Sequence, residues 1–187
     1  VRTPITVVPT GVDVDRFSRG DGRRVRAEHG IPARARVVGH VGRLAPEKNL
    51  GFLTRCLILH ASRDAEAHVA IVGGGPEASE IRREFSRVGL GDRLHMLGTL
   101  EGQELVDAYH AMDVFCFAST SETQGLVLLE SMAAGVPVIA LDSPGVRELV
   151  CDGVNGRLLS DPTEDDYVRS IERSARRDER TRMSDCL

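Results

Sequence analysis

The sequence is poor in aromatic residues. It contains no tryptophan, and phenylalanine and tyrosine together make up 4% of the 187 residues. Its formal net charge at pH 7 is −4. Proteins that bind nucleic acids use positive charge and aromatic stacking surfaces. The composition therefore argues against a nucleic-acid partner and favours small-molecule chemistry.

Cysteines are few, and long apolar runs are missing. The sequence has no CxxC pair, and no histidine lies at ligand spacing from the four scattered cysteines, Cys56, Cys116, Cys151 and Cys186. This pattern predicts reduced packing residues, no metal site and a cytoplasmic location. No apolar run approaches the roughly 18 residues of a membrane-spanning helix. Peripheral association with the inner face of a membrane, through an arginine-rich terminal helix, is a secondary alternative to a solvated helix face.

The length predicts one domain with a core of its own. Residues 1–18 are expected to be a linker or entry segment, and residues 19–187 a domain that is cut at both ends from a longer chain. Apolar runs of strand length alternate with helical stretches in this domain. The predicted strands are 37–41, 68–72, 93–97, 114–117, 138–141 and 156–159. The predicted helices are 24–29, 49–63, 77–88, 101–112, 125–134 and 163–180, with a helical turn at 148–151.

This alternation predicts an α/β fold, a Rossmann-like parallel sheet with helices on both faces. Right-handed crossovers put every strand-to-helix loop on the same edge of such a sheet, which is also where ligands bind. The loops expected to converge there contain Arg43 and residues 73–75, 97–101 and 119–125. Ordinary core or edge roles are expected for the histidines, among them His40, because they follow no metal spacing.

Residues 119–137 change character three times and are the most informative stretch. A polar loop ends at Gly125, and an apolar helix follows that contains one carboxylate, Glu130. Because this helix has no broad polar face, Glu130 is predicted to be partly buried and to accept hydrogen bonds from the protein or from a ligand rich in hydroxyl groups.

Two features suit a phosphate group. Free N–H groups of Leu126 and Val127, after Gly125, would form an anion site at the helix N-terminus, although a simple tight turn explains the glycine equally well. Arg43 and Lys48 flank a loop directly after a strand, where two cations suit a diphosphate. The alternative is a solvated loop.

The glycines at 73–75 offer a rival interpretation. With Pro76, Glu77 and Ala78 they match the G-x-G-x-x-A fingerprint of dinucleotide-binding enzymes, which would indicate a dehydrogenase. The match is weak because Pro76 lacks a backbone donor and no acidic residue ends the next strand. A close backbone approach to a ligand or to a neighbouring loop is the preferred interpretation.

Glu122 and Glu130 are too far apart to pair on one helical turn, which predicts different roles. Glu122, in the loop, is suited to sugar hydroxyls, and Glu130, in the helix, to a ribose diol. The alternative for Glu122 is a favourable partner of the helix N-terminus, worth only about 0.3–1 kcal/mol.

Together these motifs resemble one family. The segments VVPTGVD, VGRLAPEKNL, IVGGGPE, LHMLGTL, SETQGLVLLESMAAGVPVIA and ELVCDGVNGRLL are similar to the C-terminal, donor-binding domain of GT-B glycosyltransferases of family four, also called group 1. The resemblance covers nearly the whole chain. Its most specific element is the pair of glutamates with seven residues between them, Glu122 and Glu130, together with Arg43 and Lys48.

The resemblance implies one half of a GT-B fold that binds a nucleotide sugar. Arg43 and Lys48 would bind the donor diphosphate, with Glu122 on the transferred sugar, and these three are the catalytic candidates. Glu130 would hold the ribose. The other residues of the implied donor site are Gly42, Gly73, Thr99, Leu100, Gly125, Leu126 and Val127, of which Thr99 or Leu100 would contact the base through backbone atoms.

The implied reaction is transfer of a sugar from a UDP-, GDP- or ADP-sugar with retention of configuration. No metal cofactor is required, because positive charge and a helix dipole stabilise the leaving diphosphate. The acceptor, suggested by Thr123-Gln124 to be a lipid or envelope glycan, would lie on an N-terminal partner domain, so this chain alone is expected to bind the donor without transferring sugar. Pro144 departs from the glycine-rich loop common in the family. A nucleotide-sugar epimerase domain and a non-catalytic nucleotide-binding module are the alternatives.

Overall fold

A computed structural model describes residues 11–175 of the chain. This part contains six strands and eight α-helices. The strands are β1 (Arg36–Val41), β2 (Ala67–Val72), β3 (Leu94–Gly98), β4 (Val114–Phe117), β5 (Val138–Leu141) and β6 (Gly156–Leu159). The helices are α1 (Val14–Phe17), α2 (Gly22–Glu28), α3 (Leu50–Arg63), α4 (Ala78–Arg87), α5 (Gly102–His110), α6 (Leu126–Ala133), α7 (Pro144–Arg147) and α8 (Glu164–Ser174).

The strands form one parallel sheet in the order β3-β2-β1-β4-β5-β6. The predicted Rossmann-like α/β fold is therefore confirmed. The chain moves outward from β1 to β3, returns to the centre at β4 and then moves outward on the other side. Neighbouring strands β1 and β4, paired at Val38 with Val114 and at Gly39 with Phe115, are thus the point where the strand order reverses. Ligands of open parallel sheets bind at the carboxyl ends of the strands at this point.

Two apolar clusters cover the two faces of the sheet. One contains Phe17 of α1, Tyr109 of α5 and Leu128 of α6. The other contains Leu53 of α3, Phe85 of α4 and Tyr167 of α8. The four inner strands β1, β2, β4 and β5 are largely buried between them, which is why their sequences are mostly continuous apolar runs rather than alternating patterns. The edge strands β3 and β6 are only partly buried.

The helical turn predicted at 148–151 was misplaced. The structure has a short helix, α7, at Pro144–Arg147 instead. Ser143 is in an extended conformation, and Pro144 occupies the first helical position, where its fixed φ and missing N–H fit well. The proline that departs from the glycine-rich loop of the family therefore begins the helix.

The ends of the chain are described in part. Among residues 11–18, the predicted linker forms the short helix α1, and its Phe17 packs edge-on against Tyr109 with ring centroids 5.8 Å apart. The rest of that segment, residues 1–10, and the predicted continuation of the last helix through 176–180 lie outside the described residues, as does Cys186. Where the domain begins stays a prediction. No helix in residues 11–175 combines the length and apolar character needed to cross a bilayer.

Candidate functional site

A cavity of about 320 Å³ opens where the chain leaves β1 and β4. It lies at the reversal point of the sheet, as expected from the topology rule. Six residues of the predicted site line it: Gly42, Arg43, Lys48, Glu122, Leu126 and Val127. Its other lining residues are His40, Val41, Phe117, Thr123 and Gln124.

The two cations of the cavity are already paired with carboxylates. Arg43 contacts Glu47, and the Lys48 ammonium lies 2.9 Å from Oε2 of Glu122. A 3₁₀ turn over Pro46–Lys48 places the lysine, and this is the only lysine in the sequence. Its side chain is 23% exposed and that of Glu122 14% exposed. Each cation of the cavity therefore has a carboxylate partner.

Glu122 also binds the backbone of its own loop. Its Oε1 accepts hydrogen bonds from the N–H groups of Thr123, Gln124 and Gly125 at 3.1, 3.3 and 3.1 Å. Burial alone would raise the pKa of Glu122, but the bonds from Lys48 and from the backbone outweigh it, and the pKa falls to about 2. The carboxylate is charged at neutral pH and fixes the loop before α6. This is the geometry expected for the alternative role, a partner of the helix N-terminus.

The first turn of α6 keeps two unused donors. Gly125 is the N-cap, with φ 60°, and its N–H is taken by Glu122. Within residues 11–175, no hydrogen-bond acceptor is assigned to the N–H groups of Leu126 and Val127, as is normal for a first helical turn. Both residues line the cavity. The positive end of the α6 dipole therefore faces the same space as Arg43 and Lys48.

Glu130 is partly buried, as predicted, and its partner is a tyrosine. The Tyr109 hydroxyl donates to Oε2 of Glu130 at 2.8 Å, and Tyr109 itself is 0% exposed. Burial raises the pKa of Glu130, while the bond from Tyr109 opposes the rise. Burial and the neighbouring carboxylate raise the pKa of Tyr109 well above its usual value. The Tyr109 side chain thus determines where the Glu130 carboxylate points, although Glu130 is not among the residues that line the cavity.

The glycines at 73–75 pack against the neighbouring loop. Gly73 has φ 129°, and a Cβ built on it would lie 1.9 Å from the carbonyl oxygen of Gly42. Its N–H donates to Gly98 at 2.7 Å. Leu44 exchanges backbone hydrogen bonds with Gly74 and Glu77 at 2.9 and 3.0 Å. Of the two interpretations, close approach to a neighbouring loop accounts for these glycines, and they support the loop that carries Arg43.

The predicted base-contacting residues lie apart from this cavity. Thr99 is exposed, and its hydroxyl would lie 3.2 Å from a Cβ built on Gly74. Leu100 is partly buried against the cluster that contains Tyr109. Their role at a nucleotide base stays a prediction.

Sequence reasoning missed three residues that shape the site. His40 was expected in an ordinary core role, yet it lines the cavity. Tyr109 was not singled out, because its contact with Glu130 joins two different helices. Gly145 was also missed: a Cβ there would lie 2.3 Å from the carbonyl oxygen of Glu122, so the loop after β5 supports the Glu122 loop. Only His40 gave a signal, as a polar residue in an otherwise apolar strand.

A larger cavity of about 780 Å³ lies beside α2 and the end of α5. Its Arg26 is bound to the Asp113 carboxylate at 2.9 Å and to the Ala111 carbonyl at 3.0 Å. The first amides of α2 are capped by Asp21. Unlike the smaller cavity, it lies away from the point where the strand order reverses.

Comparison with known proteins decides the family. The profile described as glycosyl transferases group 1 matches residues 21–185. The chain belongs to this family of glycosyltransferases. It is similar to D-inositol 3-phosphate glycosyltransferase 2 of Catenulispora acidiphila, with 34% identity over 176 residues that make up 89% of this chain and 41% of the relative. It is also similar to sulfoquinovosyl transferase of Arabidopsis thaliana, with 35% identity over 150 residues, 79% of this chain and 28% of the relative.

Solved structures show the same fold. HepE of Anabaena in complex with UDP and glucose has a TM-score of 0.81 and 27% identity, with 94% of this chain matched to 48% of that one. The C-terminal domain of a Francisella tularensis group 1 glycosyltransferase has a TM-score of 0.81 and 21% identity, and there 93% of each chain is covered. The chain thus has the fold of one GT-B half and spans less than half the length of the curated relatives it matches.

Proposed function

We propose that the 320 Å³ cavity binds the diphosphate of a nucleotide sugar. One observation carries this proposal: Arg43, Lys48 and the unpartnered amides of Leu126 and Val127 line the same space at the strand reversal. Two cations and a helix N-terminus are suited to a diphosphate and would stabilise its charge as the sugar leaves. Family membership and the UDP-bound relative of similar fold favour a UDP-sugar over the GDP- and ADP-sugars.

The remaining residues take roles that follow from their positions. Glu122 lies beside Lys48. It would contact hydroxyl groups of the transferred sugar once the Lys48 side chain binds the phosphate groups instead of Glu122. Glu130, directed by Tyr109, would accept from the ribose diol. These groups supply charge without a metal ion, so we propose that donor binding needs none. The catalytic candidates stay Glu122, Arg43 and Lys48.

We further propose that the whole protein transfers sugar with retention of configuration to a lipid or envelope glycan. The acceptor would bind to a second domain, which is consistent with a chain that matches only 41% of its relative's length. This chain alone would bind the donor and transfer nothing. Sugar transfer by the purified chain would contradict that part of the proposal.

Calorimetric titration of the chain with UDP, GDP, ADP and NAD tests the diphosphate site. UDP is expected to bind, and Lys48→Met is expected to weaken it about 10- to 100-fold, because a hydrogen bond to a charged group contributes about 1.5–3 kcal/mol. Arg83→Met is the matched control, since Arg83 pairs with Glu80 on the exposed face of α4. Binding of NAD without binding of any nucleoside diphosphate would overturn the proposal.

A further inference from the structure

His40 holds an unused hydrogen-bond acceptor beside the cavity. The residue is at the carboxyl end of β1 and only 1% exposed. Its Nδ1 lies 3.0 Å from the carbonyl oxygen of Cys116. A carbonyl oxygen only accepts, so Nδ1 carries the hydrogen, and in the neutral ring Nε2 is then an acceptor. The ring also stacks on Phe115 and Phe117, which fixes its orientation.

Nε2 has no hydrogen-bond partner within residues 11–175 although it is buried. A buried polar atom without a partner is rare and costs stability, so it needs an explanation. His40 is among the residues that line the cavity. The absence of a side chain at Gly42 leaves space beside the nitrogen, since a Cβ built on Gly42 would stand 3.4 Å from Nε2.

The ring is neutral at physiological pH. Burial lowers the pKa of His40 to about 4, the bond to the Cys116 carbonyl opposes this, and the nearby Lys48 lowers the pKa further. A neutral ring with the hydrogen on Nδ1 cannot donate through Nε2. Phosphate oxygens at this pH are acceptors, so a diphosphate has no hydrogen-bond donor for Nε2. A hydroxyl group has one.

We propose that Nε2 of His40 accepts a hydrogen bond from a hydroxyl group of the sugar attached to the diphosphate. His40 is then a specificity residue that distinguishes a nucleotide sugar from the bare nucleotide. This inference rests on the proposed function, because it requires the diphosphate to lie in the same cavity.

Calorimetric titration of the chain with UDP and with UDP-glucose tests the assignment. His40→Phe keeps an aromatic ring beside Phe115 and Phe117 but removes the acceptor. It is expected to weaken UDP-glucose about two- to tenfold and to leave UDP unchanged, as loss of one net hydrogen bond predicts. His60→Phe is the matched control, because His60 is equally buried but lines a different cavity. Equal losses for both ligands, or no loss for either, would overturn the assignment.

Nitrogen-15 NMR of the histidine rings gives a second measurement that needs no variant in the site. The resonance of the unprotonated Nε2 of His40 is expected to shift upfield on addition of UDP-glucose and to stay in place with UDP. A resonance that stays in place with UDP-glucose, while UDP-glucose is bound, would refute the assignment. If the unaltered chain binds neither ligand, the proposal of a diphosphate site is wrong, and the proposed role of His40 is wrong with it.

Discussion

Replacing Glu122 by glutamine removes one charge from the loop before α6 and keeps the shape of the side chain. The glutamine carbonyl can still accept from the N–H groups of Thr123, Gln124 and Gly125, but the charged bond from Lys48 at 2.9 Å is weakened. The expected result is a folded chain that is less stable at neutral pH.

The pKa of Glu122 gives the size of the effect. It falls from its usual value of 4.5 to about 2, and a fall of that size corresponds to at most about 3 kcal/mol. The cavity is open to solvent and the ion pair is partly exposed, so screening reduces the expected loss to about 1–2 kcal/mol. Because the native pKa lies below the unfolded one, this contribution is fully present above about pH 4.5 and is lost as the pH falls toward 2.

Urea unfolding followed by far-UV circular dichroism measures this difference, which suits a chain without tryptophan. The free energies of unfolding of the unaltered chain and of Glu122→Gln should differ by about 1–2 kcal/mol at pH 7 and converge near pH 2. Glu148→Gln is the matched control, because Glu148 is exposed and lies outside the cavity lining. A variant as stable as the unaltered chain at pH 7, or a difference that persists unchanged at pH 2, would refute the reasoning.

Two further substitutions test the supports of the site. Tyr109→Phe removes the hydroxyl that donates to Glu130 at 2.8 Å. Urea unfolding at pH 7 should show a free energy of unfolding that is lower by about 1.5–3 kcal/mol. An unchanged free energy of unfolding would mean that water replaces the hydroxyl. Gly73→Ala forces a Cβ to within 1.9 Å of the Gly42 carbonyl oxygen and should cost about 3 kcal/mol or more. Its matched control, Gly74→Ala, meets only the movable Thr99 hydroxyl and should cost under about 1 kcal/mol, and equal costs would contradict the steric explanation.

The fold follows closely from the apolar pattern. The predicted bounds of β4, β5 and β6 agree with the structure at both ends. Strands β4 and β5 are short, wholly apolar runs. The other predicted helices shift by one or two residues at their ends, where caps decide the boundary, but the last helix, predicted to reach residue 180, ends at Ser174. The turn predicted after β5 is misplaced because Pro144 begins the helix there, and proline at a first helical position is a start signal.

The site follows from the sequence only in part, for a physical reason. The topology rule predicts that the loops after β1 and β4 meet, and Arg43, Lys48 and Glu122 do lie together. The rule does not predict which hydrogen bonds and ion pairs the side chains form there. The bond between Tyr109 and Glu130 joins α5 to α6, and the unused nitrogen of His40 depends on the ring orientation. Such contacts are set by packing between elements and leave no local pattern.

The ion pair between Lys48 and Glu122 suggests how the proposed site would couple recognition of sugar and of phosphate. Lys48 is bound to Glu122, and Oε1 of Glu122 is surrounded by backbone N–H groups, so a carboxylate already neutralises the positive charge proposed to hold the diphosphate. The Lys48 ammonium has three N–H donors and uses one of them on Glu122. A diphosphate that draws the ammonium away from Glu122 would exchange one anionic partner of the lysine for another. That exchange frees Oε2 to accept from a sugar hydroxyl, while the backbone bonds at Oε1 keep the loop in place. A bare nucleotide would free Oε2 with nothing to occupy it, whereas a nucleotide sugar supplies a new donor at that atom. The pair of Lys48 and Glu122 would thus bind a nucleotide sugar more tightly than a bare nucleotide. In the nucleotide sugar, the phosphates replace Glu122 as the partner of Lys48, and a sugar hydroxyl replaces Lys48 as the partner of Glu122.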